Sequence, residues 1–279
     1  MTSPAPLDNF PLIRSRDIEA VRNALALVYA EPKLTLERPD GKLDAAVKEC
    51  RLNAVKLSYA GFGAALSVEF PAADYFVQLI ALRGKGEIIS RNTQVAMAAG
   101  SSATISPGAG FKANYCDEYE YIVLKIDQQA LTKKLIAMTG TTIGEPLRTN
   151  PRVEFTRPAA KLLQQYLGVL IDTLGGAHLP LPAWWVSQTE QLLMAMFLHG
   201  HRHNYSHLLE QETADAAPWQ VRRAEEYIEA NWQRPITLED LAEVTGVSAL
   251  SLFRTYKRSR GISPLQYAMQ VRVRRGSAR

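Results

Sequence analysis

The stretch TLEDLAEVTGVSALSLFRTYKRSRG, residues Thr237 to Gly261, places its three carboxylates, Glu239, Asp240 and Glu243, ahead of Gly246. Thr237 followed by Leu-Glu-Asp240 reads as a helix start: the threonine hydroxyl can take a first-turn N–H while Asp240 reaches back. Acidic residues in that turn also suit the positive end of the helix dipole. Leu238, Leu241 and Ala242 recur at i, i+3 and i+4, a single apolar face. Gly246 permits a tight left-handed turn, and Ser248 is placed to cap a second helix with Leu252 and Tyr256 on its inner face. Two short helices joined through a glycine turn form a helix-turn-helix unit, whose second helix enters the DNA major groove.

The outer face of that second helix carries Leu250, Phe253, Arg254 and Lys257 at i, i+3, i+4 and i+7. Together with Ser248, Ser251 and Arg258 they form the expected DNA-contacting set. Arg254 can fork onto a guanine edge, and Leu250 and Phe253 can meet thymine methyls. Lys257, Arg258 and Arg260 suit phosphates, which position a protein without reading sequence. No Asp or Glu occurs between Glu243 and Arg279, which fits a surface that approaches a polyanion. From Trp219 onward eleven Lys and Arg face six Asp and Glu, a net of +5, whereas residues 1–218 are close to neutral. The bland alternative is a helical hairpin with a solvated basic face.

Outward from this stretch, residues 211–218, QETADAAP, are polar, alanine-rich and end in proline, as a linker does. Before them come three helical patterns. QALTKKLIAMTG is expected to end near Gly140, and RPAAKLLQQYLGVLIDTLGG to run from Pro158 to Gly175–Gly176. The third, PAWWVSQTEQLLMAMFLHGHRHNYSHLL, starts after Pro182 and is apolar at Trp185, Leu192, Leu193, Met196 and Phe197. These helices can pack on the preceding domain and offer an outer face to a second subunit; core packing alone is the alternative.

Between Ala54 and Asp127 the texture is different. AVKLSYAG, ALSVEF, DYFVQLIALRG, GEIISRN, TQVAMAAG, SATISPG and YEYIVLKID are short, β-branched or aromatic, and separated by turn residues. That spacing predicts an antiparallel barrel or sandwich. Residues Arg83 to Glu87, with Gly84 and Gly86, read as a hairpin turn, and Ser106–Pro107–Gly108 as another. The first 50 residues are mixed, with one helical pattern at Arg16 to Tyr29.

These residues carry a resemblance. The start at Pro235, the pattern V-S-x-x-x-L-x-R-x-[FY]-[KR] at Val247 to Lys257, and G-x-S-P-x-x-Y at Gly261 to Tyr267 resemble the DNA-binding signature of AraC/XylS-family transcriptional regulators. Tyr59 to Asp127, with ISPG at 105–108 and EYIVLKI at Glu120 to Ile126, resembles the family's effector-sensing barrel, as does HNYSHLL before the linker. The family's DNA-binding domain joins two helix-turn-helix units by a long helix. Here the pattern at VRVRRGSAR departs at Gly276 and Ser277, so the second unit is expected to be missing.

Other chemistries fit these residues less well. His199, His201, His203 and His207 fall within nine residues, and His199 and His203 would be i, i+4 on a helix, as a metal pair requires. No acid lies inside that cluster, and a solvated helix end is the simpler reading. A cupin-type metalloenzyme needs imidazoles inside its barrel, and no His precedes His178. Cys50 and Cys116 make no metal or CxxC spacing and fit a reducing cytoplasm. No GxSxG, Walker A or GxGxxG loop occurs, and no run approaches the ~18 apolar residues of a membrane span.

The expectation is therefore an α+β chain. Residues 1–210 form a cupin-like antiparallel β-barrel with C-terminal dimerisation helices, 211–218 the linker, and 219–279 an all-α, incomplete helix-turn-helix domain. The resemblance implies a cytoplasmic regulator, not an enzyme and without cofactor, metal or membrane. It would bind a promoter operator as a homodimer, respond to a small organic effector, with aromatic acids or related catabolic substrates as the leading class, and address RNA polymerase. The alternatives are a sensor or dominant-negative dimer partner without tight DNA binding, and, far behind, a cupin enzyme. Tyr59, Tyr75, Phe76, Gln78, Tyr119 and Tyr121 lie in expected strands, but register is needed to say which point inward.

Overall fold

The computed structural model describes residues 6–29, 31–38, 41–176, 180–209 and 219–276. The chain divides into two compact units, Met1–Ser206 and His207–Arg279. The expected linker, 211–218, lies outside the described residues.

In the first unit the strands are β1 (Pro11–Ser15), β2 (Lys33–Leu36), β3 (Ala45–Arg51), β4 (Val55–Gly61), β5 (Leu66–Phe70), β6 (Tyr75–Arg83), β7 (Lys85–Ser90), β8 (Thr93–Ala98), β9 (Ser102–Ile105), β10 (Phe111–Tyr115) and β11 (Glu120–Asp127). They form two antiparallel sheets, ordered β1-β3-β4-β11-β6-β9 and β2-β5-β10-β7-β8. Alternation along each strand puts one set of side chains between the sheets. Val47, Ala60, Val77, Leu79, Tyr121 and Val123 from the first sheet meet Leu66, Val68, Ile88 and Tyr115 from the second. Phe62, Tyr115, Tyr119 and Tyr121 cluster inside, with Tyr115 and Tyr119 stacked at 4.7 Å.

Four helices accompany the sheets: α1 (Ile18–Ala26), α2 (Gln128–Thr139), α3 (Pro158–Gly176) and α4 (Ala183–Gly200). The first sheet is covered on its second face too, where Phe76 of β6 meets Phe197 of α4 edge-on at 6.0 Å. Burial on both faces explains why β6 and β11 read as nearly continuous apolar runs rather than alternating ones. Glu190 of α4 is buried and accepts from the Val55 N–H at 2.9 Å, from Asn53 Nδ2 at 3.0 Å, and from the Ala54 N–H. It docks the helix onto the start of β4.

Three expectations are corrected here. The first 50 residues supply three strands besides their helix, and Phe111–Tyr115 is a strand that its polar Lys112 and Asn114 concealed. The turn at Arg83–Glu87 does not join a paired hairpin. β6 bonds to β11 and β9, β7 to β10 and β8, so the chain crosses from one sheet to the other at Gly84. Gly84 has φ +70, and a Cβ there would stand 2.8 Å from the Tyr119 backbone. Both conformation and space exclude a side chain. The third correction is to the last helical pattern, which stops at Gly200, with His201 already extended.

In the second unit, α5 (Trp219–Ala230), α6 (Leu238–Thr245), α7 (Ala249–Arg260) and α8 (Pro264–Gly276) enclose Val221, Ala224, Ile228, Leu241, Leu252, Tyr256 and Val271. The expected caps are present. Asp240 N–H donates to Thr237 Oγ1 at 3.1 Å and Thr237 N–H to Asp240 Oδ2 at 2.9 Å. Gly246 takes φ +66 after α6, and Ser248 Oγ accepts from Ser251 N–H at 3.3 Å to start α7. Leu252 and Tyr256 are fully buried, as an inner face should be.

Candidate functional site

The buried Leu252 and Tyr256 fix the rotation of α7 and turn Leu250, Ser251, Arg254, Lys257 and Arg258 to solvent, with Leu250 58% exposed. Phe253 is half-buried beside them, and Ser248 is exposed while its hydroxyl caps the helix. Among the described residues no ion pair or hydrogen bond engages the side chains of Arg254, Lys257 or Arg258. The other cations differ. Arg260, expected to meet phosphate, instead forks onto Glu225 of α5 at 2.8 and 2.9 Å, and Glu225 also accepts from Tyr256 Oη at 3.2 Å. The bidentate carboxylate holds the Arg260 pKa above its ordinary value. Arg275 pairs with Glu229 at 2.6 Å, Arg274 joins it, and Arg272 donates to the Arg234 carbonyl at 2.8 Å. Much of the net charge is thus neutralised within the unit, while α7 keeps three uncommitted cations on one exposed face.

The first unit carries a separate feature, inside the barrel. Lys125 of β11 is 3% exposed. Its Nζ donates to Glu49 Oε2 at 3.0 Å and to the Val28 carbonyl at 2.8 Å, and lies 4.2 Å from the centre of the Tyr29 ring. Glu49 also accepts from Arg51 Nε at 2.6 Å and Ser58 Oγ at 3.1 Å. Burial pushes the Lys125 pKa down to about 8, against the opposing pull of Glu49. Burial alone would raise Glu49, but Lys125 and Arg51 together hold it below the usual carboxylate range. An ammonium has three N–H donors, and only two here have acceptors among the described residues. Lys125 also lines a cavity of about 390 Å³, together with Val28, Asn53, Lys56, Asp74 and Tyr75 among others. A buried polar group with spare donor capacity next to a cavity of this size is what a small polar ligand requires.

Register now sorts the aromatic candidates. Tyr75 lines the cavity, and Tyr119 and Tyr121 pack between the sheets. Phe76 faces α4, Gln78 donates to Ser102 Oγ at 3.1 Å, and Tyr59 lies under Lys48. The sequence reading missed Tyr29, Glu49, Ser58 and Lys125, whose partners are far apart in the chain. A charged residue inside the apolar run YEYIVLKID was the one available signal. The histidines do not share a helix. His201 is buried and donates from Nδ1 to the Phe197 carbonyl at 2.8 Å, with burial pushing its pKa down to about 4. His203 Nε2 lies 3.0 Å from the Leu198 carbonyl.

A cupin-like pair of antiparallel sheets with a ligand-sized cavity, accompanied by helices and a helix-turn-helix unit, defines an α+β chain of the AraC-like class. Residues 21–198 match the family model of the AraC-binding-like domain, and the chain belongs to that family. It is 28% identical over 155 residues to the probable thc operon regulatory protein of Rhodococcus erythropolis, covering 55% of this chain and 46% of that protein. It is 42% identical over 48 residues to the bifunctional transcriptional activator/DNA repair enzyme AdaA of Bacillus subtilis (strain 168), covering 17% of this chain and 23% of that one. Each match therefore spans less than half of the relative. The crystal structure of the AraC-like transcriptional activator CuxR superposes with a TM-score of 0.51 at 15% identity, over 95% of this chain and 94% of that one. That likeness supports the fold. Among the described residues no helix is long and apolar enough to cross a membrane.

Proposed function

We propose that this chain is a DNA-binding transcriptional regulator whose barrel senses a small polar organic effector. The observation that carries the reading is the charge pattern of the second unit: Arg254, Lys257 and Arg258 stay uncommitted on the exposed face of α7, while neighbouring arginines are held by Glu225 and Glu229. A helix that only closed a core would not need three unpaired cations on one side. Ser248, Leu250, Ser251 and Phe253 complete the proposed contact surface, with Arg254 reading bases and Lys257 and Arg258 holding phosphates. An operator as partner follows from the same reading, whereas contact with RNA polymerase rests on the family resemblance alone. Titrating the whole chain against its upstream promoter fragment over a salt series tests it. Binding should weaken linearly in log salt with a slope set by the phosphates neutralised. Absence of salt-dependent binding to any DNA would favour the second reading, a sensor that works without holding DNA.

The effector would enter the Lys125 cavity and accept the spare N–H, with Tyr75 and Lys56 beside it. The arrangement works by binding rather than by chemistry, and no metal or cofactor is invoked. The proposed arrangement is a homodimer through α3 and α4, which expose Leu162 (54%), Val169 (64%), Trp184 (70%) and Leu192 (43%). Leu162 and Val169, seven positions apart on α3, and Trp184 and Leu192, eight apart on α4, each fall near one face of their helix. Sedimentation of the full chain at tens of micromolar should give a dimer. A Val169→Glu/Trp184→Glu variant should give a monomer with unchanged far-UV circular dichroism. A wild-type chain that sediments as a monomer sinks the dimer proposal.

A further inference from the structure

A second cavity, of about 210 Å³, opens where the β7–β8 hairpin and the segment after α2 approach β9. Its lining includes Arg91, Arg148, Thr93, Ser106 and Thr149, and no Asp or Glu. Neither guanidinium has an ion pair or hydrogen bond among the described residues. Ser106 Oγ and Thr149 Oγ1 lie 3.1 Å apart and need one hydroxyl hydrogen between them, which leaves the other free to donate. Thr149 N–H, at 2.9 Å, already satisfies one lone pair of Ser106.

Arg91 is also the wrong residue for its backbone. It stands in the two-residue turn between Ser90 and Thr93, which pair across the hairpin, and has φ +53. Glycine, asparagine or aspartate ordinarily holds such a turn position, because a longer side chain is strained there. The strain sits on the one turn residue that brings a guanidinium to this cavity, and strain retained at a binding surface is a reason to look for a ligand.

We propose that this cavity binds the phosphate group of a small molecule or free inorganic phosphate. Two arginine forks and a Ser/Thr hydroxyl pair line a space too small for a drug-sized ligand, and a phosphate has more oxygens than a carboxylate to share among them. A carboxylate, with two oxygens, satisfies only one fork. The site shares no lining residue with the Lys125 cavity.

The test is a titration of the full chain with sodium phosphate at constant ionic strength, followed by calorimetry and by melting temperature. Arg91→Gly and Arg148→Gln should each weaken phosphate binding at least about tenfold, the scale of a lost charged contact. Without phosphate, Arg91→Gly should melt no lower than wild type, because glycine accepts the positive φ. That separates lost ligand contacts from lost folding. Acetate should bind far more weakly than phosphate. Ribose 5-phosphate binding more tightly than phosphate assigns the site to an ester, and binding no tighter assigns it to the free ion. Either result supports the site. The proposal is overturned if phosphate stabilises wild type no more than chloride does, if acetate matches it, or if both variants bind like wild type. It is also overturned if both variants lose promoter binding, since the arginines would then belong to a DNA surface.

Discussion

Arg254→Ala is expected to weaken binding to the promoter fragment by about 1–3 kcal/mol and to relax preference at one base position, because a bidentate base contact is lost. Lys257→Ala should weaken all sequences alike and reduce the salt slope by about one ion. Arg260→Ala is the informative contrast. Its guanidinium is already committed to Glu225, so its loss should leave the salt slope unchanged while loosening the attachment of α7 to α5. The partly exposed pair makes that loss modest. Electrophoretic or anisotropy titrations of the three variants, with thermal melts alongside, separate the roles. If Arg254→Ala and Lys257→Ala bind as wild type does, α7 is not the recognition helix. If Arg260→Ala alone flattens the salt slope, the division between structural and contacting cations is wrong.

Lys125→Met should destabilise the first unit by about 3 kcal/mol, near the lower end for breaking a buried pair. The cost arises mainly from Glu49, left buried with Arg51 and Ser58 as its remaining partners. Lys125→Met combined with Glu49→Leu should therefore recover most of the loss, since a well-packed apolar pair can replace a buried ionic one. Urea denaturation of the single and double variants checks this; a double variant less stable than Lys125→Met would show that the pair itself contributes the stability. The pH dependence follows with a definite sign. Lys125 releases its proton at about pH 8 when folded, below its ordinary value of 10.5. Between those values the unfolded chain binds more protons, so the Lys125 contribution to stability should rise with pH through this window. It is fully present above the unfolded value and lost as pH falls through about 8. Denaturation midpoints of wild type relative to Lys125→Met from pH 7 to pH 10 should diverge in favour of wild type.

What the sequence made legible was local. The Thr237–Asp240 box, the Ser248 cap and the Leu252/Tyr256 face act within a few residues, and each appears where the spacing placed it. The strands of Ala54–Asp127 were legible because turn residues punctuate them. The less visible strands had a physical reason to hide. Ala45–Arg51 buries Glu49 among apolar neighbours, so its pattern resembled neither a helix nor a clean alternation. Gly84 signalled a turn, but one glycine serves a hairpin and a crossing between sheets equally well. The backbone of Tyr119, 35 positions away, occupies the space that a Cβ on Gly84 would need, a contact that local sequence does not reveal. Nor can charge counting tell Arg260 from Arg254. The difference is Glu225, brought to one of them by the packing of α5 against α7.

Glu190 connects the cavity to the helices around it. Its carboxylate grips the backbone at Ala54 and Val55 and the side chain of Asn53, and both Asn53 and Ala54 border the cavity mouth. A molecule seated against Asn53 would therefore press on a segment clasped by α4, and small adjustments of the rim would travel along a rigid rod rather than dissipate in a loop. Through Glu190 the rim and α4 share a single carboxylate clasp, so a displacement of Asn53 would bear directly on that helix.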